Sequence, residues 1–240
     1  MRDDLNNTSL AGEAYDIVRQ RILRGDLKLG QVISRRTLAS ELGMSFLPVS
    51  EALLRLEVEG LLESRPRAGT RVRIPTAQDV EGHYVVREAL EMQAARLFAE
   101  RARPEEKAEL RRLAVRLDSL SPKTDSERLH YLTMHKSLHR KIAEYGNCPA
   151  LCDAIEQNHA LGLTWMCVGR SAHFPRRHQL LIEALTSGQT AIAVEAMREH
   201  IHSSQNAALA RLTPYFKLKK TRGTRYMRGA GYPVVPESDE

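Results

Sequence analysis

The stretch Leu38-Ala39-Ser40-Glu41-Leu42-Gly43-Met44-Ser45-Phe46-Leu47-Pro48-Val49-Ser50-Glu51-Ala52-Leu53 decides how the N-terminal part of this chain folds. Apolar residues recur at spacings of three and four on both sides of Gly43-Met44-Ser45. That pattern predicts two short helices joined by a tight turn. Ser34 is placed to cap the first of them, Gly43 stops it, and Gly60 ends the second. A duplex reader has this shape: one helix braces on the backbone while the next enters the major groove.

Upstream, Leu10, Ala14, Ile17, Val18 and Ile22 predict a helix ending near Gly25. Downstream the period changes. Leu61-Leu62-Glu63-Ser64-Arg65 and Arg71-Val72-Arg73-Ile74 flank Pro66-Arg67-Ala68-Gly69 and read as a small hairpin. Its arginines and Gly69 suit a wing laid against phosphates or the minor groove. The alternative at this level is a small helical bundle with a solvated basic hairpin. Thr76-Ala77-Gln78-Asp79 then forms a capping-box variant with Asp in place of Glu. Amphipathic helices follow at about 77–101, 105–119, 125–145, 149–168, 176–187 and 190–211. The expected architecture is mostly α: a winged helix-turn-helix over 1–75, an all-α bundle over 76–212, and an irregular basic tail over 213–240.

The 240 residues are 42% hydrophobic and 28% charged, an ordinary globular composition. No apolar run is long enough for a transmembrane helix. The first residues lack the apolar core of a signal peptide, and three cysteines give no disulfide framework. A cytoplasmic protein with no membrane partner is expected. The formal charge of +6 is half concentrated in the tail, so composition alone does not establish nucleic-acid binding. No Gly-x-Ser-x-Gly elbow, P-loop or Cys-x-x-Cys array is present, and no enzyme is expected.

Four of the nine histidines fall on apolar helix faces. His135 and His139 are four apart, which puts them on one helix face about 5–6 Å apart at Cβ. His178 lies 10 residues before Gly188 and His200 lies 12 after it. At 1.5 Å per residue both stand about 15 to 18 Å from a turn there, nearly level on antiparallel helices. The four imidazoles are therefore expected to converge. A divalent transition metal, Zn or Ni foremost, would satisfy several neutral imidazoles at once. The other reading is a hydrogen-bonded or water-bridged polar pocket. His83, His130, His159, His173 and His202 are read as ordinary.

The segments Leu29-Gly30-Gln31-Val32-Ile33-Ser34, Leu38-Ala39…Leu42-Gly43-Met44-Ser45, Pro48-Val49-Ser50-Glu51-Ala52-Leu53…Leu56-Glu57…Glu59-Gly60-Leu61 and Arg67-Ala68-Gly69-Thr70-Arg71-Val72 resemble the winged helix of GntR-family bacterial transcription regulators. The resemblance implies a double-stranded DNA operator contacted through Arg35, Arg36, Ser45, Phe46, Ser50, Arg55, Arg65, Arg67, Gly69, Thr70 and Arg71. The family pattern at the reading helix is Ser-Arg-Thr-Pro-Val-Arg-Glu-Ala-Leu. Here Phe46 and Ser50 stand where its arginines stand. Arg35, Arg36 and Arg55 are placed to compensate at phosphates; Phe46 is placed either to touch a thymine methyl or to pack.

Arg87-Glu88-Ala89-Leu90-Glu91…Ala94-Ala95-Arg96-Leu97 and His135-Lys136-Ser137-Leu138-His139…Gly146-Asn147 are similar to the helical ligand-sensing FCD domain of the FadR-type subgroup. Many members bind a metal through one Asp and three His. His135 stands at the Asp position, which favours softer metals. The resemblance implies a homodimer controlled by a small carboxylate effector at the metal, with repression the commoner outcome. Arg87 is a second carboxylate anchor or the partner of Glu88, Glu91 or another helix; Asn147 lines the pocket or caps a helix. The other functions weighed are a metal-sensing regulator and a metal-dependent hydrolase.

Overall fold

A computed structural model describes residues 9–65, 69–166 and 177–221. The N-terminal unit runs α1 (Leu10–Arg24), β1 (Val32–Ile33), α2 (Arg35–Leu42), α3 (Phe46–Val58), β2 (Leu62–Arg65) and β3 (Gly69–Val72). The Ser34 hydroxyl accepts from the Thr37 amide, and Gly43 closes α2 at φ 63°, so the cap and stop act as the sequence predicts. The hairpin forms with Leu62 opposite Val72 and Arg65 opposite Gly69. Pro66–Ala68, and with them Arg67, lie outside the described residues.

One strand was not expected. The two-residue β1 pairs antiparallel with β3, Val32 opposite Arg71 and Ile33 opposite Thr70, giving the sheet order β1-β3-β2. Two residues carry too little alternation to be read as a strand. The edge pairing ties the segment before α2 to the wing. Ala14, Val18 and Ile22 of α1 meet Val49, Ala52, Leu53 and Leu56 of α3, with Leu62 and Val72 of the sheet closing the core.

The helical unit runs α4 (Ala77–Arg101), α5 (Pro104–Ser119), α6 (Asp125–Tyr145), α7 (Pro149–Met166), α8 (His178–Leu185) and α9 (Thr190–Thr221). Both arms of the Thr76–Asp79 capping box are present, and Thr124 with Glu127 forms another at α6. α4 packs along α9 and against α6 and α7; α8 lies between α5 and α9. Tyr84, Phe98, Leu110, Leu117, Leu138, Ile142, Ile182 and Leu185 are fully buried. α1 touches α6 and α7, so the reader and the bundle meet through the first helix.

The last helix extends past residue 212, where the sequence pattern predicts an irregular tail. Pro214 sits inside α9. Leu212 is buried and Tyr215 and Phe216 pack against the core, so apolar docking carries the helix across the proline. Residues 222–240 lie outside the described residues. Among the described residues no helix is long and apolar enough to cross a membrane.

Leu56 is completely buried between α1, α3 and the sheet. Leu56→Ala is expected to cost about 2–5 kcal/mol of stability. Denaturant unfolding followed by circular dichroism measures it, and the loss should appear in the transition that includes the reader.

A buried histidine cluster and a winged duplex reader

The four histidines converge. The ring centroids of His135 and His139 are 4.6 Å apart, those of His135 and His178 5.1 Å, and those of His178 and His200 5.3 Å. His139 and His200 are 5.2 Å apart. Three separate helices, α6, α8 and α9, thus deliver imidazoles to one interior point. Ligand-capable nitrogens of His135, His178 and His200 lie within 4.8 Å of one another. The Nε2 atoms of His135 and His139 are 3.2 Å apart.

Two carboxylates orient these rings, and the sequence reading assigned neither. Asp118, at the end of α5, accepts from His178 Nδ1 at 2.7 Å and from the Gln179 amide at 3.0 Å. It fixes the His178 ring and the start of α8 together. Glu91, on α4, contacts His139 Nδ1 and accepts from His159 Nε2 at 2.9 Å. A carboxylate oxygen accepts, so His178 Nδ1 carries the proton and its Nε2 lone pair is left for the centre. His159, read as ordinary, is buried on α7 and belongs to this layer.

Arg87 is buried and its Nε donates to Glu91 at 2.6 Å. Of the two roles open to it in the sequence, the structure shows the i,i+4 ion pair with Glu91. Burial alone would raise the Glu91 carboxyl; Arg87, with His139 and His159, holds it well below the ordinary carboxylate range. Asn147 does not reach the cluster. It is exposed and takes φ 53° just past the end of α6, eight residues and about 12 Å beyond His139. Its role is that of a helix cap, because Asn tolerates the left-handed conformation that ends a helix.

The four converging imidazoles are pushed toward the neutral form. Burial, with the neighbouring rings, takes His135 and His200 well below the ordinary histidine value. Burial takes His139 down to about 4 even though Glu91 opposes it, and His178 falls although Asp118 opposes the shift. His83, on the adjacent face of α4, is lowered to about 4 by burial and by Arg87. His200 Nε2 is buried with no hydrogen-bond partner. Neutral rings from three helices, with His200 Nε2 left without a partner, form a donor set that fits a borderline-soft divalent ion. Two nitrogens at 2.0–2.1 Å from one tetrahedral ion would stand roughly 3.4 Å apart, close to the His135–His139 separation.

In the reader, the assigned residues separate into groups. Arg36 is exposed at the start of α2, and Ser45 and Phe46 are exposed at the start of α3. Arg65 is half exposed on β2, and Gly69 holds φ 78° at the wing, a conformation that a side chain would strain. Four others face elsewhere. Thr70 is buried, because it points inward on β3; it accepts from Arg35 at 3.2 Å and meets Ser64 at 2.9 Å. Arg71 is mostly buried and paired with Glu63. Arg55 lies 3.9 Å over the Tyr15 ring and pairs with Glu59. The Ser50 hydroxyl is buried without a partner. Ser64 also binds Glu57 of α3 through its amide and hydroxyl at 2.8 Å. The chain Arg35–Thr70–Ser64–Glu57 therefore locks α2, the wing and α3 into one body.

Comparison with known proteins bears on both units. Residues 10–72 match the model of the bacterial regulatory proteins of the gntR family, and residues 83–203, about half the chain, match the FCD domain. The chain is 28% identical to the HTH-type transcriptional regulator McbR of Escherichia coli over 83% of its own length and 80% of that protein. It is 29% identical to a protein of Paenarthrobacter nicotinovorans named "Probable D-xylose utilization operon transcriptional repressor", over 82% of this chain and 88% of the other. The solved structure of E. coli McbR/YncC superposes with a TM-score of 0.65 at 26% identity, covering 87% of this chain and 99% of that one. These relatives are transcription regulators rather than enzymes. With a winged reader joined to a helical bundle that encloses a histidine cluster, the chain belongs to the GntR family of DNA-binding transcription regulators, in the branch with a C-terminal FCD domain.

Proposed function

We propose that this regulator is a cytoplasmic homodimeric repressor whose grip on its operator is set by a small carboxylate metabolite bound at a transition-metal site in the helical domain. The domain division behind this reading is 1–75, 76–212 and a basic segment beyond. The observation that carries it is the convergence of His135, His178 and His200, with the His139 ring against them and buried carboxylates behind His178 and His139. These four rings would hold the ion, Zn or Ni by their chemistry. A bound ion would supply a Lewis-acidic point for a carboxylate oxygen.

Glu91, with His139 and His159, also forms a group of metal-ligand type. Its carboxylate is already engaged by Arg87, so it orients His139 and adds negative charge behind the cluster. Arg87 enters this reading as the counter-ion of Glu91 and not as an independent anchor.

Control of DNA has a structural carrier. α6 bears His135 and His139 and also contacts α1 of the reader. A ligand that binds more tightly in one setting of α6 than another shifts the setting of α1, and with it the spacing of two readers in a dimer.

Two measurements test this. Asp118→Asn is expected to weaken Zn or Ni binding by about 10–100-fold while the helical content stays native. Isothermal titration with each metal, backed by metal analysis of the purified chain, reads it; unchanged affinity removes Asp118 from the site. His178→Ala with His200→Ala should abolish metal binding and the response of DNA binding to carboxylates, while DNA binding itself persists. A DNA mobility shift with and without candidate carboxylates decides that point.

The metal-free chain should also show a defined pH response. The folded-state values of His139 and His83, about 4, lie below the unfolded value near 6.5. The unfolded chain then binds more protons in that window, so stability is full above about pH 6.5 and falls as pH drops toward 4. Thermal melts of the chelator-treated protein across this range measure the slope. A flat profile would mean that the rings are not neutral and buried together.

A further inference from the structure

We infer that this regulator reads its operator through thymine methyl groups, using Phe46 and Leu47 at the start of α3 as the specificity-determining residues. Phe46 is 58% exposed and Leu47 67% exposed, so neither packs into the protein. They occupy the N-terminal turn of the reading helix, the part that meets base edges in a helix-turn-helix. Leu54 and Val58, 59% and 82% exposed, continue the same apolar face. The polar side chains of α3 that a guanine or adenine reader would use are engaged inside the reader or buried, Arg55 being held at its base while its side chain stays 60% exposed. Arg55 is stacked on Tyr15 and paired with Glu59, and the Ser50 hydroxyl is buried. The remaining charged residue on the outer face, Glu51, is exposed and anionic.

An exposed apolar face also fits a protein partner, and the surroundings decide between the two. The reader also exposes Arg36 on α2 and Arg65 on the wing, the latter at 4.0 Å from Glu63 and half exposed, as cations for phosphates. Cations at the rim with an apolar centre complement a duplex in which phosphates border a groove lined with methyls. The thymine C5-methyl is the apolar feature of the major groove, and aliphatic and aromatic side chains recognise it by contact. Backbone position then comes from α2 and the wing, and sequence selection from α3. The rigid Arg35–Thr70–Ser64–Glu57 connection keeps the two in register.

The test uses the full-length protein and a random-sequence duplex pool. Selection should enrich half-sites with runs of thymine where α3 lies. The enriched duplex is then remade with deoxyuridine at those thymines, which deletes only the methyl. Affinity should fall about fourfold for each contacted methyl, the value of one buried methylene-sized group. Phe46→Ala with Leu47→Ala should erase the difference between the thymine and uracil duplexes, and both positions are exposed, so the fold is retained. Phe46→Arg should shift selection toward guanine. Equal affinity of the native chain for both duplexes overturns the proposal. So does an unchanged selection by the double variant, or a double variant whose only effect is on oligomeric state, the signature of a protein-docking face.

Discussion

The carboxylate–imidazole contact is the interaction on which the helical domain depends. A bundle of this size cannot bury a group of imidazoles unless their protons and lone pairs are accounted for. Asp118 takes the Nδ1 proton of His178, and Glu91 lies against Nδ1 of His139, so the two carboxylates set where the remaining nitrogens point. Arg87 makes a buried Glu91 tolerable by offsetting its charge within 2.6 Å. Remove that support and the cluster faces both a misdirected ring and an uncompensated charge.

The same contacts stitch helices that are far apart in sequence. Asp118 holds α5 to the start of α8, and Glu91 holds α4 to α6 and α7. The polar site is therefore also a packing device. Its side chains therefore bear on the mutual setting of the helices, one of which, α6, also touches α1.

Much of this was legible in the sequence. Periodicity placed the helices because their apolar stripes are long, and Ser34, Gly43 and the Thr76–Asp79 box marked ends by local chemistry. The histidine convergence was legible because two rings share one helix and the other two flank one turn. Glu91, Asp118 and His159 escaped because their partners are brought to them by tertiary packing. Asp118 lies near the end of a helix rich in exposed charges, and its sequence neighbours Arg116 and Ser119 resemble surface. The family resemblance placed Thr70 and Arg71 at DNA, yet the two-residue β1 turns Thr70 inward and Glu63 draws Arg71 to itself. A helix cap at Asn147 and a pocket residue look alike in a sequence; only exposure separates them.

The reader shows how a conserved architecture can change its chemistry of recognition without changing its frame. Direct polar readout requires a long cation or amide on the outer face of α3, held by nothing else. Here the cation that remains on α3, Arg55, faces α1 and lies against Tyr15, whose hydroxyl is itself pinned to Glu59 at 2.7 Å. Freeing Arg55 for a base would uncover the Tyr15 ring and break its i,i+4 pair with Glu59, the residue whose bond from Tyr15 ties α3 to α1. The stability of the three-helix core thus opposes arginine readout at this position. Phe46 and Leu47 carry no such obligation, since neither is needed inside. Selection of bases is left to the residues the core can spare.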